Sequence, residues 1–296
     1  MLTSVFVLTR IFSNPLSNVF QKKLTSRAAD PLFIVFVTHT LLSLVCLPVL
    51  LAIQPGELSA VFWGYMLACA CLAIAGNTLI VAALKTADLS VLGPINSYKA
   101  IVSLLPGALL LGEFPTLPGG IGILLILLGS YFIADPAPAG SRSTRFRFLL
   151  TNRGVQLRLA ALLFSATEAI LLKKALLLSS PLIAFACWCW LGVLVAGLML
   201  FPRLKKDFRP EMVVWRQNQP LYWLLALTTG LMQASTLFTF GYFQVGYSLA
   251  LFQTSTLLSV WFGYRFFSEK NVARRLVGAS IMVIGAILIV VFGVRS

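Results

Sequence analysis

Two opposite charges stand inside otherwise apolar stretches of this chain. Lys99 lies within GPINSYKAIVSLLPG and Glu168 within FSATEAILLKK. A charge at the centre of a lipid-facing helix costs roughly 2.5–3.5 kcal/mol on insertion scales, so each must face protein or a water-filled space. A lysine there receives an anionic group. A carboxylate there receives a cation, or exchanges a proton as its surroundings open and close. Together the two can hold the ends of a zwitterion, or simply pair with each other. Other polar residues gather at helical spacing. Asn96, Lys99 and Ser103 stand at i, i+3 and i+7 on one face. Asn14, Asn18 and Gln21 form a second such stripe, and Arg10 extends it by one turn. Asn14, Asn18 and Asn96 would orient a ligand by hydrogen bonds, and Trp188 would pack against its apolar part. The single histidine, His39, and Asn77 are expected in helix packing rather than in chemistry.

The elements that must position these residues follow from composition. The chain has 296 residues, 59% hydrophobic and 11% charged, whereas soluble domains carry about 25% charged residues. Ten segments are apolar over the ~20 residues a membrane-spanning helix needs. They run at about 3–21, 32–53, 61–84, 89–111, 117–134, 157–178, 181–201, 220–243, 247–267 and 276–293. Barrel strands would be shorter and would alternate polar with apolar. The first segment holds Arg10, Asn14 and Asn18 and lacks a small-residue cleavage site, so it reads as a helix rather than a signal peptide. The net charge of +14 sits in short gaps between spans, with no separate basic and aromatic patch, which excludes nucleic acid as a partner. The five cysteines all fall inside spans. Each C-x-C pair points its side chains about 200° apart on a helix, so they read as small buried residues.

The chain repeats itself. A shift of 156 residues places Ser103 on Ser259, Gly107 on Gly263, Glu113 on Glu269, Gly122 on Gly278 and Gly129 on Gly285. A shift of 150 places Lys23 on Lys173, Pro31 on Pro181 and Asn18 on Glu168. Five spans per copy is an odd number, so the second copy crosses the membrane in the opposite sense. The expectation is an all-α membrane protein of ten transmembrane helices in two inverted five-helix repeats, residues 1–134 and 157–296, joined by a basic linker at 135–156. Many secondary transporters have this architecture.

Here the sequence resembles a known family. The stretch AALKTADLSVLGPINSYKAIVSLLPGALLLGEFPTLPGGIGILLILLGSYFIA is similar to the end of an EamA-type repeat of the drug/metabolite transporter (DMT) superfamily. Its LGE before a glycine-spaced helix is the most visible mark. FFSEKNVARRLVGASIMVIGAILIV resembles a second copy, with Glu269 kept and the preceding glycine replaced by Ser268. The resemblance implies a ten-helix, two-bundle transporter of small metabolites, often exporting them, in a bacterial cytoplasmic (inner) membrane.

Lysine and arginine crowd the gaps after the odd-numbered spans, Arg158 being counted in the gap after the fifth. The positive-inside rule then puts those gaps in the cytoplasm and both termini outside, although members of the resembled family are usually drawn with both termini in the cytoplasm. Glu113 and Glu269 are expected to complement the dipole of the helix that follows each. The glycine pairs Gly122/Gly129 and Gly278/Gly285 open grooves for close helix approach. No metal-ligand cluster, phosphate loop or nucleophile–base pair is visible, so neither an enzyme nor a cofactor is expected. The reading is a secondary transporter moving an amino-acid-like or organic-acid metabolite by alternating access. Lys99, Glu168, Asn14, Asn18, Asn96 and Trp188 would form its site, and Glu168 would exchange a coupling proton. The readings set against it are an intramembrane enzyme on lipid substrates and a channel.

Overall fold

The computed structural model describes residues 2–27, 29–54, 56, 58–99, 102, 116–133, 151–204, 209–243 and 245–292. These form thirteen helices and, among the described residues, no strand. They are α1 (Leu2–Thr25), α2 (Pro31–Val45), α3 (Leu47–Ala52), α4 (Ala60–Thr86), α5 (Leu89–Ile95), α6 (Leu117–Ile133), α7 (Arg153–Leu177), α8 (Pro181–Leu204), α9 (Arg209–Gln217), α10 (Gln219–Tyr242), α11 (Val245–Gln253), α12 (Ser255–Phe267) and α13 (Val272–Phe292). Four of them, α4, α7, α8 and α10, are long and apolar enough to cross a membrane, and shorter apolar helices accompany them. The protein is an all-helical, multi-pass membrane protein.

Local chemistry sets the helix starts. Asp30 accepts from the Leu32 and Phe33 amides at 2.9 and 3.2 Å, with Pro31 opening α2. Ser59 accepts from Phe62 N at 3.2 Å and Asn152 from Val155 N at 3.2 Å. Each cap satisfies a first-turn amide that has no partner within its own helix. The cap at Asn152 starts α7 inside the stretch read as linker, so residues 153–156 are helical; residues 135–150 of that linker lie outside the described residues.

Two spans read as continuous helices are interrupted. In the segment read at 89–111, α5 ends at Ile95. Asn96, Ser97 and Lys99 then donate their amides to Gly93, Pro94 and Asn96, three residues back. Gly93 and Pro94 cause the break, since proline supplies no amide and glycine weakens a helix interior. The segment read at 247–267 breaks at Thr254, between α11 and α12, again with three-residue hydrogen bonds. Ser103, Gly107 and Glu113 lie outside the described residues.

Five pairs of helices pack along each other: α6 with α13, α4 with α7, α1 with α10, α2 with α8 and α5 with α12. The α6–α13 pair is as close as its glycines allow. A Cβ on Gly129 would stand 2.6 Å from the Gly278 carbonyl oxygen, and one on Gly285 2.6 Å from the Gly122 carbonyl oxygen. Most of the buried apolar core lies between α2, α4, α8 and α10, around Phe33, Phe62, Trp188 and Tyr222. A second apolar cluster holds Val19, Leu84, Leu89, Leu92 and Phe262 together.

Candidate functional site

A cavity of about 120 Å³ lies between α1, α4, α7, α8, α10, α11 and the residues that follow α5. On that measure one water needs about 10–15 Å³, so the space is several times larger than a single water requires. Asn14, Asn18, Asn96, Lys99, Glu168 and Trp188 all line it. Three chain segments far apart in sequence thus bring their polar residues to one place. Arg10, Gln21 and Asn77 line it as well. His39 does not; it packs behind the wall, its ring 4.4 Å from that of Trp188 and its Nδ1 3.0 Å from the Val35 carbonyl oxygen.

The geometry is specific. The Trp188 indole N–H donates to Glu168 Oε1 at 3.1 Å. Trp188 is itself fixed between His39 and a stacked Phe185, and is 1% exposed. Glu168 itself lines the cavity. Among the described residues Lys99 makes no ion pair with Glu168; close ion pairs lie instead around Glu269. Arg10 donates from Nε to Thr236 Oγ1 at 2.8 Å, and its guanidinium lies 4.9 Å from the centre of the Phe252 ring. Its Nη1 is buried without a hydrogen-bond partner. Buried donors are normally satisfied, and this one belongs to a residue on the cavity wall.

Arg158 departs from its sequence reading. Counted there as a loop charge, it is 5% exposed and lines the cavity. Its Nη2 donates to Asn96 Oδ1 at 3.4 Å, and its Nε has no partner. The reason is the early start of α7, which carries position 158 into the bundle. A second feature missed in the sequence is a stripe on α10. Thr229, Gln233 and Thr236 line the cavity at i, i+4 and i+7, the same spacing as Asn14, Asn18 and Gln21 on α1. The two stripes meet directly, Ser17 Oγ lying 3.0 Å from Thr229 Oγ1. That periodicity was readable on the α10 segment.

Along α1 from Asn18 and Gln21 the cavity ends at an apolar layer of Val19, Leu84, Leu89 and Leu92, each 2% exposed or less. Beyond it lies a buried charge network. Lys22 Nζ is 2.7 Å from Glu269 Oε1, Arg275 Nη1 is 3.7 Å from Glu269 Oε2, and Arg275 Nη1 is 3.0 Å from Asp88 Oδ2. Glu269 does not serve the helix that follows it. It reaches across to α5, accepting from Leu89 N at 2.8 Å and Ser90 N at 2.9 Å, and from the Ser90 hydroxyl. Burial pushes this carboxyl up, but the Lys22 charge and the hydrogen bonds from Lys22 and Ser90 outweigh it and hold Glu269 below the usual carboxylate range. Glu113 lies outside the described residues.

Among curated proteins none matches the chain. A solved structure described only as "Crystal structure of protein" aligns with 97% of this chain and 95% of its own, at a TM-score of 0.59 and 15% identity, a likeness of fold. Residues 2–134 match the sequence profile of the EamA-like transporter family. Over those residues the chain is similar to the EamA-like transporter family, part of the drug/metabolite transporter superfamily.

Proposed function

We propose that this protein is a secondary transporter of a small charged metabolite, built from two inverted five-helix repeats that rock about the central cavity. The observation that carries the reading is that cavity, where Lys99, Glu168 and Asn96 converge with the polar stripe of α1. Helix packing supports the repeats. An exchange of the first span for the sixth, the second for the seventh and so on returns α2–α8, α5–α12 and α6–α13 to themselves. It turns α4–α7 into α10–α1. Those are the five principal pairings. The broken helices after Ile95 and at Thr254 support it too, because midplane sites in such transporters are formed by discontinuous helices.

In this reading the cavity is closed on the side of Lys22, Asp88, Glu269 and Arg275. All four lie at or near gaps after odd-numbered spans, which the positive-inside rule assigns to the cytoplasm. Moving Arg158 out of the loop tally leaves that bias intact. Lys99 receives an anionic group, and Glu168, positioned by Trp188, exchanges the coupling proton. Asn14, Asn18 and Asn96 orient the ligand.

The test is uptake into proteoliposomes from a mixed metabolite pool, with Lys99→Ala and Glu168→Gln alongside, with and without a pH gradient. Saturable accumulation lost in both folded variants supports the reading. Transport that survives both changes moves the site elsewhere, and flux without saturation or counterflow indicates a channel.

A further inference from the structure

We infer that the transported solute is a small organic dianion, with Arg158 as a specificity-determining residue that binds one of its two anionic groups. This rests on the transporter reading and deepens it.

Three cations line the cavity, Arg10, Lys99 and Arg158, against one carboxylate, Glu168. The chain has 9 acidic residues, and the other eight fall in gaps or at span ends, none of them on the cavity wall among the described residues. Among the described residues the wall thus supplies one negative charge for three positive ones. Charges held away from water persist only when paired, and a ligand of net charge near −2 completes this set.

Two of the cations are guanidinium groups carried by different helices, Arg158 on α7 and Arg10 on α1. Arg158 is held by Asn96 at 3.4 Å and keeps Nε unpartnered while 5% exposed. Arg10 is held by Thr236 at 2.8 Å and keeps Nη1 unpartnered. A guanidinium presents its donors in a fixed fork that matches an oxyanion, and here two forks come from two different helices, with Lys99 contributing a third charge. The wall also includes Leu172, Met232, Phe240 and Leu249, apolar side chains suited to a short hydrocarbon body. The cavity's size excludes a large headgroup. A short dicarboxylate and a phosphate ester of a three-carbon unit share this chemistry.

The experiment measures thermal stabilisation of the purified protein in detergent by succinate, glycerol 3-phosphate, alanine, lysine and chloride, followed by uptake of any binder into proteoliposomes. Succinate or glycerol 3-phosphate is expected to raise the unfolding midpoint saturably, above alanine and lysine. Whichever of the two does so separates carboxylate from phosphate. Arg158→Gln is expected to weaken that binding roughly 10- to 100-fold, and Arg158→Lys to restore part of it. Preference for alanine or lysine over both dianions overturns the inference and leaves a transporter standing. So does stabilisation by chloride alone, or unchanged dianion binding in Arg158→Gln. Should Arg158→Gln not fold, the ranking of probes on the unaltered protein and on Arg158→Lys still decides. Absence of saturable uptake for every solute in the mixed pool overturns the transporter reading itself.

Discussion

Replacing Glu269 tests the charge network that seals one end of the cavity. Its side chain is 4% exposed and its Lys22 partner 13%, so solvent screens the pair little. Removing one partner of a buried pair costs about 3–5 kcal/mol. In Glu269→Gln the amide oxygen still accepts from Leu89 N or Ser90 N, and Arg275 keeps Asp88 at 3.0 Å. The expected loss is therefore near the lower bound, about 3 kcal/mol. Glu269→Ala additionally strands two first-turn amides of α5. Each unsatisfied buried donor costs about 1–3 kcal/mol, so alanine should be worse than glutamine by about 2 kcal/mol or more. The assay is equilibrium unfolding in detergent, followed by the tryptophans.

The pH dependence follows from the same contacts. Glu269 is held below the usual carboxylate range, so the folded state binds this proton more weakly than the unfolded chain does. Its contribution is then fully present above the ordinary glutamate value of about 4.3. It is lost as pH falls through the lower, folded value. Stability of the unaltered protein should drop on acidification below about pH 4.3, and Glu269→Gln should lack that part of the slope. Opening of the sealed end is read separately, as labelling by a water-soluble thiol reagent of a cysteine placed at Leu92. Both variants should increase it. Glutamine and alanine variants as stable as the unaltered protein, with unchanged labelling, would refute the reasoning.

Further outcomes follow from single positions. Ser268 ends α12 in the left-handed region at φ 52, which costs a non-glycine residue roughly 1 kcal/mol. Ser268→Gly should therefore raise stability by up to about that amount, read as the unfolding midpoint. Gly285→Ala drives a methyl against the Gly122 carbonyl. The backbone there has nowhere to go, so a loss of about 1–3 kcal/mol is expected, with α6 and α13 separating in a distance measurement between spin labels. Trp188→Phe removes the donor to Glu168 while keeping the ring against His39. It should change the pH dependence of uptake more than the fold. Asn152→Ala removes the cap of α7 and should cost about 1 kcal/mol, measured by thermal unfolding.

The long apolar helices α4, α7, α8 and α10 were legible because lipid imposes one simple rule on sequence: about 20 apolar residues per crossing. The polar stripe of α1 was legible because a face that lipid cannot satisfy must turn inward. Lys99 and Glu168 could be found the same way, as charges with no loop near them. Arg158 could not. It stands one turn from the apparent end of an apolar run, and hydropathy assigns such a residue to the nearest gap. Only the cap at Asn152, which starts the helix earlier, carries it into the cavity. The role of Glu269 escaped for a different reason. A carboxylate just before a helix normally serves that helix, and nothing local tells that its lone pairs are taken by amides 180 residues away. The breaks at Asn96 and Thr254 differ again. Gly93 and Pro94 advertise the first, whereas no glycine or proline marks the second.

The second break gains its meaning from the first. A shift of 156 residues carries Tyr98 onto Thr254, so both helices open within two residues of equivalent positions. The charges do not follow. Lys99 falls on Ser255, and with the shift of 150 Arg10 falls on Ala160 and Arg158 on Leu8. Leu8 is 54% exposed, on the outside of the bundle, where its counterpart is buried. On the proposed two-repeat reading the backbone opening is common to both halves, while the ionic chemistry belongs to particular residues of each. A cavity symmetric in charge would hold a ligand equally well in two opposed orientations. This one, with Arg158 at Asn96, Arg10 at Thr236 and a single carboxylate at Trp188, distinguishes the two ends of its ligand. A dianion with unlike ends should then bind in one orientation only. Enantiomers of a chiral dicarboxylate such as malate should differ in affinity, and Asn96→Ala, by freeing Arg158, should narrow that difference. Equal binding of the two enantiomers would mean that the fixed guanidinium groups do not hold the ligand.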